Sequence, residues 1–452
     1  MGILDPVRSL YGARSYPAMS HPSADPAVTA VAAMLVGIFP PHPEGSRVLE
    51  IGCASGHNMI PLAQRWPGSQ FVGVDLSEKA ISNAKSLSDA TGITNVEWHA
   101  CDFRTYDPGQ RDFDYIIAHG VFSWVSDEVK FALIRFCRDH LSENGIAAVS
   151  FNVTSGWSNR FPVIAKVQAI RELTGHDEMA SLTVLRGIVG PTDPESSIID
   201  DMLAKGPEIL PFDDFAPIND PWSLTEFVAL AGAHDLRWLG DSDPAMNLPQ
   251  DLKPEIVTAI RAANPEPLEF QEALDAATGR TFRSGLLGRM GSPVRADAGQ
   301  VLRNFHFHHT DRHTASTDPL DQAIADFGPS TASFDDLRQW LSAHDSNGIT
   351  TKLLSGIRCG EIRARLEPIA FSDRLPSHPK LNPFRLGCAE RALPLVDAFH
   401  KSCDFPANHF QILAAMDGTR TVGELAAFAL NKAPELHFAP WLEHLTHRGM
   451  FA

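Results

Sequence analysis

Cysteines are few in this chain, and no two of them are closely spaced. Its 452 residues contain six: Cys53, Cys101, Cys137, Cys359, Cys388 and Cys403. Disulfide scaffolds and zinc ribbons need cysteines at short, regular spacing, such as Cys-x-x-Cys. We therefore expect neither, and scattered cysteines of this kind are typical of a protein from a reducing cytoplasm.

The chain also lacks long apolar runs and an excess of basic residues. Its longest largely apolar stretch, residues 27–40, is much shorter than the roughly 20 residues of a membrane-spanning helix. With 38 Lys and Arg residues against 55 Asp and Glu residues, the formal net charge is −17, which repels the phosphates of nucleic acids. We expect no membrane span and no nucleic-acid partner.

Five strand-like runs alternate with helix-like segments in the first third of the chain. The runs span residues 47–52, 69–76, 95–100, 113–120 and 145–152. Strands joined by crossover helices form a parallel sheet that is covered on both faces. Together with strand-like runs within 224–240 and at 280–287, the pattern predicts an α/β protein with a doubly wound, Rossmann-like sheet of seven strands.

The first predicted strand leads into a glycine-containing turn that suits a nucleoside ligand. Residues 48–58 read VLEIGCASGHN, in which Glu50, Gly52 and Gly56 form a Glu-x-Gly-x-x-x-Gly pattern. Glycine lets the backbone approach a ligand closely, and the amides of the following helix point toward it. Ala54 occupies a position that is glycine in the nicotinamide fingerprint Gly-x-Gly-x-x-Gly, so a dehydrogenase is disfavoured.

Acidic residues also follow the second and third predicted strands. Asp75 ends the run FVGVD, where its carboxylate would reach the ribose hydroxyls of an adenine nucleoside. Asp102 and Phe103 offer an acceptor for the adenine amino group and an apolar face for its ring. With Glu50, these carboxylates suit a cationic nucleoside better than a pyrophosphate, and a sulfonium compound has that charge.

These motifs resemble those of class I S-adenosylmethionine-dependent methyltransferases that carry a regulatory domain, a family that includes rickettsial protein-lysine methyltransferases. Further runs carry the same similarity: FVGVDLS (71–77), FDYIIAHGVFSWV (113–125), NVTSGW (152–157) and RWLGDSD (237–243). The resemblance implies S-adenosylmethionine as cofactor and a homodimer. It also implies a cofactor site formed by Glu50, Gly52, Cys53, Ala54, Gly56, Asn58, Asp75, Leu76, Cys101, Asp102, Phe103, His119 and Gly120.

We divide the chain into four parts on these patterns. An arm at residues 1–25 precedes the catalytic domain at 26–175, and an α+β regulatory or substrate region at 176–300 completes the sheet. Residues 301–452 form the C-terminal domain. A capping box at 421–424 follows an Asp-Gly turn there and predicts a helix-turn-helix, so we expect a winged-helix-like fold.

His119 is the leading candidate for a catalytic role. It ends the fourth predicted strand, where the transferred methyl group would lie in this fold. An ordinary imidazole titrates near neutrality, so His119 could orient or deprotonate the acceptor. Further candidates for the acceptor pocket are Trp124, Trp157, Asn152 and Tyr16. The competing interpretations are ordinary ones: core aromatic rings, a helix cap and a structural histidine.

A histidine-rich run, NFHFHHTDRH, spans residues 304–313. It contains His306, His308, His309 and His313. Alternate residues of a strand share a face, so two of these histidines could bind zinc with a third ligand. No cysteine or acidic partner has the required spacing, and we expect no metal site.

The sequence predicts an S-adenosylmethionine-dependent methyltransferase, most specifically one that N-methylates lysine in a protein substrate. A small-molecule N- or O-methyltransferase of secondary metabolism is the first alternative. A non-catalytic regulatory protein that binds S-adenosylmethionine is the second. The non-catalytic alternative is motivated by residues 152–157, which lack the tyrosine and proline of the family's N-T-Y-P-G-W segment. Phe122 likewise replaces a tyrosine that is usual in the family.

Overall fold

The computed structural model describes residues 6–109, 112–248, 252–294, 298–309, 316–328, 330–341, 346–371 and 374–451. Within these ranges one sheet has seven strands: β1 (Arg47–Ile51), β2 (Gln70–Asp75), β3 (Val96–Ala100), β4 (Phe113–Ala118), β5 (Leu141–Asn152), β6 (Leu236–Asp241) and β7 (Phe282–Arg289). The order is β3-β2-β1-β4-β5-β7-β6, and neighbouring strands are parallel except where β7 pairs with β5 and β6. This confirms the predicted doubly wound sheet.

Helices cover both faces of the sheet. Those before and within it are α1 (Pro6–Ala13), α2 (Pro26–Leu35), α3 (Met59–Arg65), α4 (Glu78–Thr91), α5 (Asp127–His140), α6 (Thr154–Thr174), α7 (Glu178–Ile188), α8 (Pro194–Ile209), α9 (Leu224–Ala233), α10 (Pro254–Ala263) and α11 (Pro267–Thr278). Helix α4 shows how the sequence specifies them: Ser77 caps its first turn, and Gly92 ends it with φ +70°. Ile81 and Leu87 on its apolar face are buried in the core.

Helices α6, α7 and α8 form a helical unit with an apolar core of its own. Trp157, Val163, Leu182 and Ile199 are all buried in that core. Beside it, the buried guanidinium of Arg160 donates hydrogen bonds to Asp214 and Asp201. Residues 210–212, directly after α8, form a short 3₁₀ turn that reaches the N-terminal arm.

Beyond β7, the described residues build a small antiparallel sheet and a helical C-terminal part. The sheet order is β10-β8-β9, from β8 (His306–His309), β9 (Ala332–Ser333) and β10 (Ile362–Arg365). Its helices are α12 (Ala298–Val301), α13 (Pro319–Phe327), α14 (Phe334–Trp340) and α15 (Ser346–Cys359). Then follow α16 (Pro383–Glu390), β11 (Leu395–Val396), β12 (Ser402–Cys403), α17 (Ala407–Ala414), α18 (Val422–Lys432) and α19 (Phe438–His447).

Helices α17 and α18 form a helix-turn-helix at the predicted position. Thr421 and Glu424 make the predicted capping box at the start of α18, and Gly418 in the turn has φ +87°. The strands β11 and β12 have two residues each, and a winged-helix fold for this region stays a prediction. The division of the chain at residues 25, 175 and 300 likewise stays a proposal. Among the described helices, none is long and apolar enough to cross a bilayer.

Candidate active site

A cavity of about 400 Å³ opens at the carboxyl ends of β1, β2 and β4. Strand order reverses between β1 and β4, and open α/β sheets bind their ligands at such a point. Of the residues predicted to bind the cofactor, all except Gly56 line this cavity. Gly56 instead makes the turn possible: it has φ +73°, and a Cβ there would lie 2.4 Å from the Trp98 ring.

The turn after β1 is held close to β2. The backbone N–H of Gly52 donates to the Val74 carbonyl at 2.8 Å, and a Cβ on Gly52 would lie 2.7 Å from Val121. Ala54 has φ +45°, a left-handed conformation that costs a non-glycine residue roughly 1–2 kcal/mol. Its N–H donates to Asp75 Oδ2 at 2.9 Å, so the Asp75 carboxylate holds the strained turn in place.

Glu50 is a buried carboxylate that is only half satisfied. It is 3% exposed, and its Oε1 accepts a hydrogen bond from Asn58 Nδ2 at 2.9 Å. Its Oε2 is buried and has no hydrogen-bond partner in the part of the chain that the structure describes. Burial, with the nearby Asp75 charge, raises the pKa of Glu50 to about 8. A cationic ligand with hydrogen-bond donors would satisfy the unpaired oxygen, and S-adenosylmethionine therefore fits this pocket.

Asp102 and Phe103 form the other end of the cavity. The Asp102 carboxylate accepts hydrogen bonds from Arg104, including 2.7 Å from Nη2, and these interactions lower the pKa of Asp102. Phe103 is buried and packs edge-to-face on Phe136, with ring centroids 5.9 Å apart. The two residues predicted to contact adenine thus lie in the cavity wall, and the carboxylate of Asp102 is already paired with Arg104.

The N-terminal arm lines the cavity and makes three aromatic contacts with the rest of the chain. The ring of His21 stacks on His119, with centroids 3.7 Å apart and planes 22° apart. Burial lowers the pKa of His21 to about 4 and holds the pKa of His119 well below its usual value, so both imidazoles are neutral at pH 7. Tyr11 and Tyr16 pack against Phe212, at centroid distances of 5.2 and 5.3 Å.

A second cavity of about 880 Å³ adjoins the first. The arm forms the common wall, since Tyr11, Tyr16 and Met19 line both cavities. Ala54, Ser55 and Asp75 also line both cavities. The lining of the larger cavity is completed by α4, the kink of α8 at residues 205–209 and the C-terminal part between residues 391 and 410. The two cavities together reach from the ends of the central strands to the C-terminal part.

The predicted acceptor residues separate into two sets. Trp124, His119 and Tyr16 line the smaller cavity, and Trp124 Nε1 is buried with no partner among the residues described. Asn152 lies elsewhere: its Nδ2 donates to Asn219 Oδ1 at 2.9 Å. Trp157 is buried in the core of the helical unit, and its Nε1 donates to the Thr281 carbonyl.

Tyr11 and His21 were missed by reasoning from the sequence. Both lie in the arm, where proline-rich, aperiodic sequence gives no pattern to read. The one signal in the sequence was composition: tyrosine is rare in this chain, and Tyr11 is one of only four.

Three histidines of the histidine-rich run, His306, His308 and His309, lie in strand β8 of the small sheet. Within the described ranges, no group of three or more His, Cys, Asp or Glu side chains could hold a metal ion. The His308 ring packs against Phe399 at a centroid distance of 4.3 Å, with the planes tilted by 37°, and burial lowers the pKa of His308 to about 3. His313 lies outside the described residues.

Comparison with known proteins agrees with this geometry. Residues 48–145 match a family described as a methyltransferase domain, and residues 207–289 match a predicted methyltransferase regulatory domain. An uncharacterized Rickettsia prowazekii protein is 32% identical over 291 residues, 60% of this chain and 51% of the relative. A second one from that organism is 35% identical over 173 residues, 38% of this chain and 69% of the relative. The chain thus spans about half the length of the first relative.

Among solved structures, PKMT2 from Rickettsia typhi in complex with AdoHcy has the same fold. It superposes with a TM-score of 0.83 at 20% sequence identity, covering 96% of this chain and 99% of that one. The likeness extends through the C-terminal part as well as the central sheet.

Proposed function

Because the chain belongs to the class I S-adenosylmethionine-dependent methyltransferases that carry a methyltransferase regulatory domain, we propose that it methylates the side-chain amine of lysine in a protein substrate. The observation that carries the proposal is the pair of joined cavities. One is lined by Glu50 and Asp75, two carboxylates without an ion pair among the described residues that suit the methyl donor, and the other is large enough for part of a polypeptide.

Glu50, Asp75 and the turn at residues 52–54 would hold the cofactor. When bound, S-adenosylmethionine supplies an electrophilic methyl group on a positively charged sulfur. The carboxylate of Glu50 brings one unsatisfied buried oxygen to this cavity, and Asp75 keeps the Ala54 amide in place. The protein's contribution is proximity and a dry cavity, because alignment of two reactants alone lowers a barrier by about 7–11 kcal/mol at best.

Histidines 21 and 119 would orient the acceptor amine rather than take its proton. A base with a pKa of about 4, as in His21, is too weak to deprotonate an ammonium whose ordinary pKa is about 10.4. A neutral imidazole nitrogen can accept a hydrogen bond, and His119 Nδ1 has no partner among the described side chains and backbone groups. Desolvation on entry to the cavity lowers the pKa of an amine, so its proton would leave to water before attack.

Lysine suits the shape of the two cavities. Its amine stands at the end of a flexible four-carbon stem, which could pass the arm at Tyr11 and Tyr16 while the polypeptide stays in the larger cavity. The phenol of Tyr16 is kept uncharged there, because burial raises its pKa to about 12. The sequence resemblance to rickettsial protein-lysine methyltransferases supports the same choice of acceptor.

The test is to incubate the full chain with isotope-labelled S-adenosylmethionine and a cell extract separated into protein and small-molecule fractions. We expect label in protein and methyl-lysine after acid hydrolysis. Asp75→Ala should abolish the label, whereas the matched control Asp89→Ala on the exposed face of α4 should not. Label only in small molecules would favour the small-molecule alternative. Binding of the cofactor without any turnover would favour the non-catalytic one.

A further inference from the structure

The side chain of Asn58 joins three distant parts of the molecule. Its Nδ2 donates to Glu50 Oε1, and its Oδ1 accepts from the backbone N–H of His21 and from His400 Nε2, all at 2.9 Å. A backbone N–H can only donate, so the acceptor must be the amide oxygen and the orientation of the amide is settled. Asn58 thus connects the cofactor carboxylate, the arm and the C-terminal part.

His400 enters this network from the turn between β11 and β12. It is fully buried, and it adopts a left-handed backbone with φ +64°. Because Asn58 Oδ1 is an acceptor, His400 must carry its proton on Nε2. Asp397 braces the turn: its Oδ1 accepts from the N–H groups of Phe399 and Lys401. The imidazole is therefore held in place before any ligand arrives.

The same turn also anchors the arm. Ser20 Oγ donates to the His400 carbonyl at 3.0 Å, and the Ser20 N–H donates to Ser402 Oγ at 2.7 Å. Ser20 directly precedes His21, whose ring covers His119. A shift of the turn would therefore move both the Asn58 amide and the arm residue that lies over the acceptor side of the cavity.

We propose that His400, from the C-terminal part, is a positioning residue of the cofactor site: it fixes the Asn58 amide that orients Glu50 and the arm that carries His21. This inference rests on the proposed function, because it takes Glu50 as a residue that holds the cofactor. Without the His400 donor, the buried Asn58 oxygen keeps one hydrogen bond, and the amide gains freedom to rotate away from Glu50. One buried hydrogen bond corresponds to roughly a tenfold change in an equilibrium constant.

Two substitutions separate this role from a general role in folding. His400→Asn accepts the left-handed backbone readily, but its short amide ends near the position of ring Nδ1 and cannot reach Asn58. His400→Gln carries an amide nitrogen near the position of ring Nε2 and can still donate. Lys401→Ala changes the adjacent exposed side chain of the same turn and serves as the matched control.

The readouts are the dissociation constant of S-adenosylhomocysteine, by titration calorimetry, and amide hydrogen exchange of residues 15–25 without ligand. We expect His400→Asn to weaken binding about tenfold and to speed exchange in the arm. His400→Gln should restore binding to within a fewfold of the wild type, and Lys401→Ala should change neither readout.

Three results would overturn the inference. One is wild-type affinity in the Asn variant. Another is equal loss in the Asn and Gln variants, which would make His400 a residue needed for folding only. A third is unchanged arm exchange in the Asn variant. If the wild-type chain binds no adenosyl ligand at all, the proposed function itself fails, and the exchange data still report whether the turn holds the arm.

Discussion

Asp25, at the start of α2, and the two carboxylates of the candidate site, buried Glu50 and half-buried Asp75, differ in whether cations accompany them. Asp25 is fully buried and pairs with Arg65 and Arg365, each at 2.9 Å. Burial alone would raise the pKa of Asp25, but the two arginines outweigh it and hold the pKa well below its usual value. Glu50 and Asp75 have no ion pair within the described residues, and burial raises the pKa of both.

We interpret this difference in charge pairing as the difference between a structural site and the proposed binding site. A buried carboxylate that is paired with fixed cations needs no ligand to balance its charge, and it links the elements that carry those cations. Asp25 joins the start of α2 to α3 and β10 in this way. A buried carboxylate without a cation costs stability until a ligand supplies the missing charge. Opposite effects of substitution are therefore expected at the two sites, and the following predictions test this from the largest effect to the smallest.

Asp25→Asn should destabilise the protein strongly. It would leave the buried guanidinium of Arg365 with only the Glu367 carboxylate, at 3.2 Å, and breaking a buried ion pair from one side costs about 3–5 kcal/mol. Urea unfolding followed by circular dichroism measures the loss, with exposed Asp89→Asn as control. A loss below about 1 kcal/mol would show that the two carboxylate groups are equivalent and would break the comparison.

Glu50→Gln should have the opposite effect on stability and should weaken ligand binding. A raised folded-state pKa means that stability is complete below the unfolded pKa of about 4.3 and is lost as pH rises through about 8. An uncharged glutamine avoids that loss, so the ligand-free variant should be more stable than the wild type at pH 8 and no different at pH 4. Thermal unfolding at both pH values checks this, and calorimetry should show cofactor binding at least a hundredfold weaker. A variant less stable than wild type at pH 8 would contradict the assignment.

Binding of the cofactor should strengthen as pH rises toward 8. A positively charged ligand prefers ionised Glu50, and below its pKa of about 8 that ionisation must accompany binding. The dissociation constant should therefore fall by up to about tenfold per pH unit between pH 6 and 8 and level off above. The variant Glu50→Gln is the control, because protonation of the ligand's own groups changes binding to both proteins equally. The same pH slope in both proteins would assign the effect to the ligand alone.

Arg104→Ala should change stability least. Its ion pair with Asp102 lies at the rim of the same cavity, where the guanidinium side chain is 36% exposed, and such pairs contribute about 0–1 kcal/mol. The urea midpoint should therefore move little, and less in high salt. A loss as large as that of Asp25→Asn would mean that burial does not decide which pairs are structural.

The central sheet and one end of the site followed from local sequence. Strands β1 to β5 lie at the strand-like runs of the sequence, and Glu50, Gly52, Asp75 and Asp102 stand within or close to them. Strand position alone therefore brings these residues to one edge of the sheet. The C-terminal edge of a parallel sheet collects such residues whatever the rest of the chain does. The helix-turn-helix predicted from the Asp-Gly turn and the capping box at 421–424 was equally local, because a capping box spans only four residues.

The acceptor end did not follow in the same way. Asn152 stands directly after an apolar run, as Asp75 does, yet its amide turns to Asn219 and away from the cavity. Trp157, five residues later in the chain, was also predicted to line the acceptor pocket, but it is buried in the core of the helical unit. Neither partner can be read from neighbouring residues, because it comes from a segment more than forty residues away in the chain.

The amino-acid sequence by itself determined the sheet, the glycine turn and the three carboxylates at strand ends, because each depends on a few adjacent residues and on backbone geometry. Only the tertiary structure decided what surrounds them. His21 covers His119, and His400 reaches Asn58 across 342 positions of the chain, because packing brings together residues that no local pattern connects. It also decided which buried carboxylates pair with arginines: Asp25 has two, whereas Glu50 keeps an oxygen without a partner among the described residues, which is why we propose it as a ligand-binding residue.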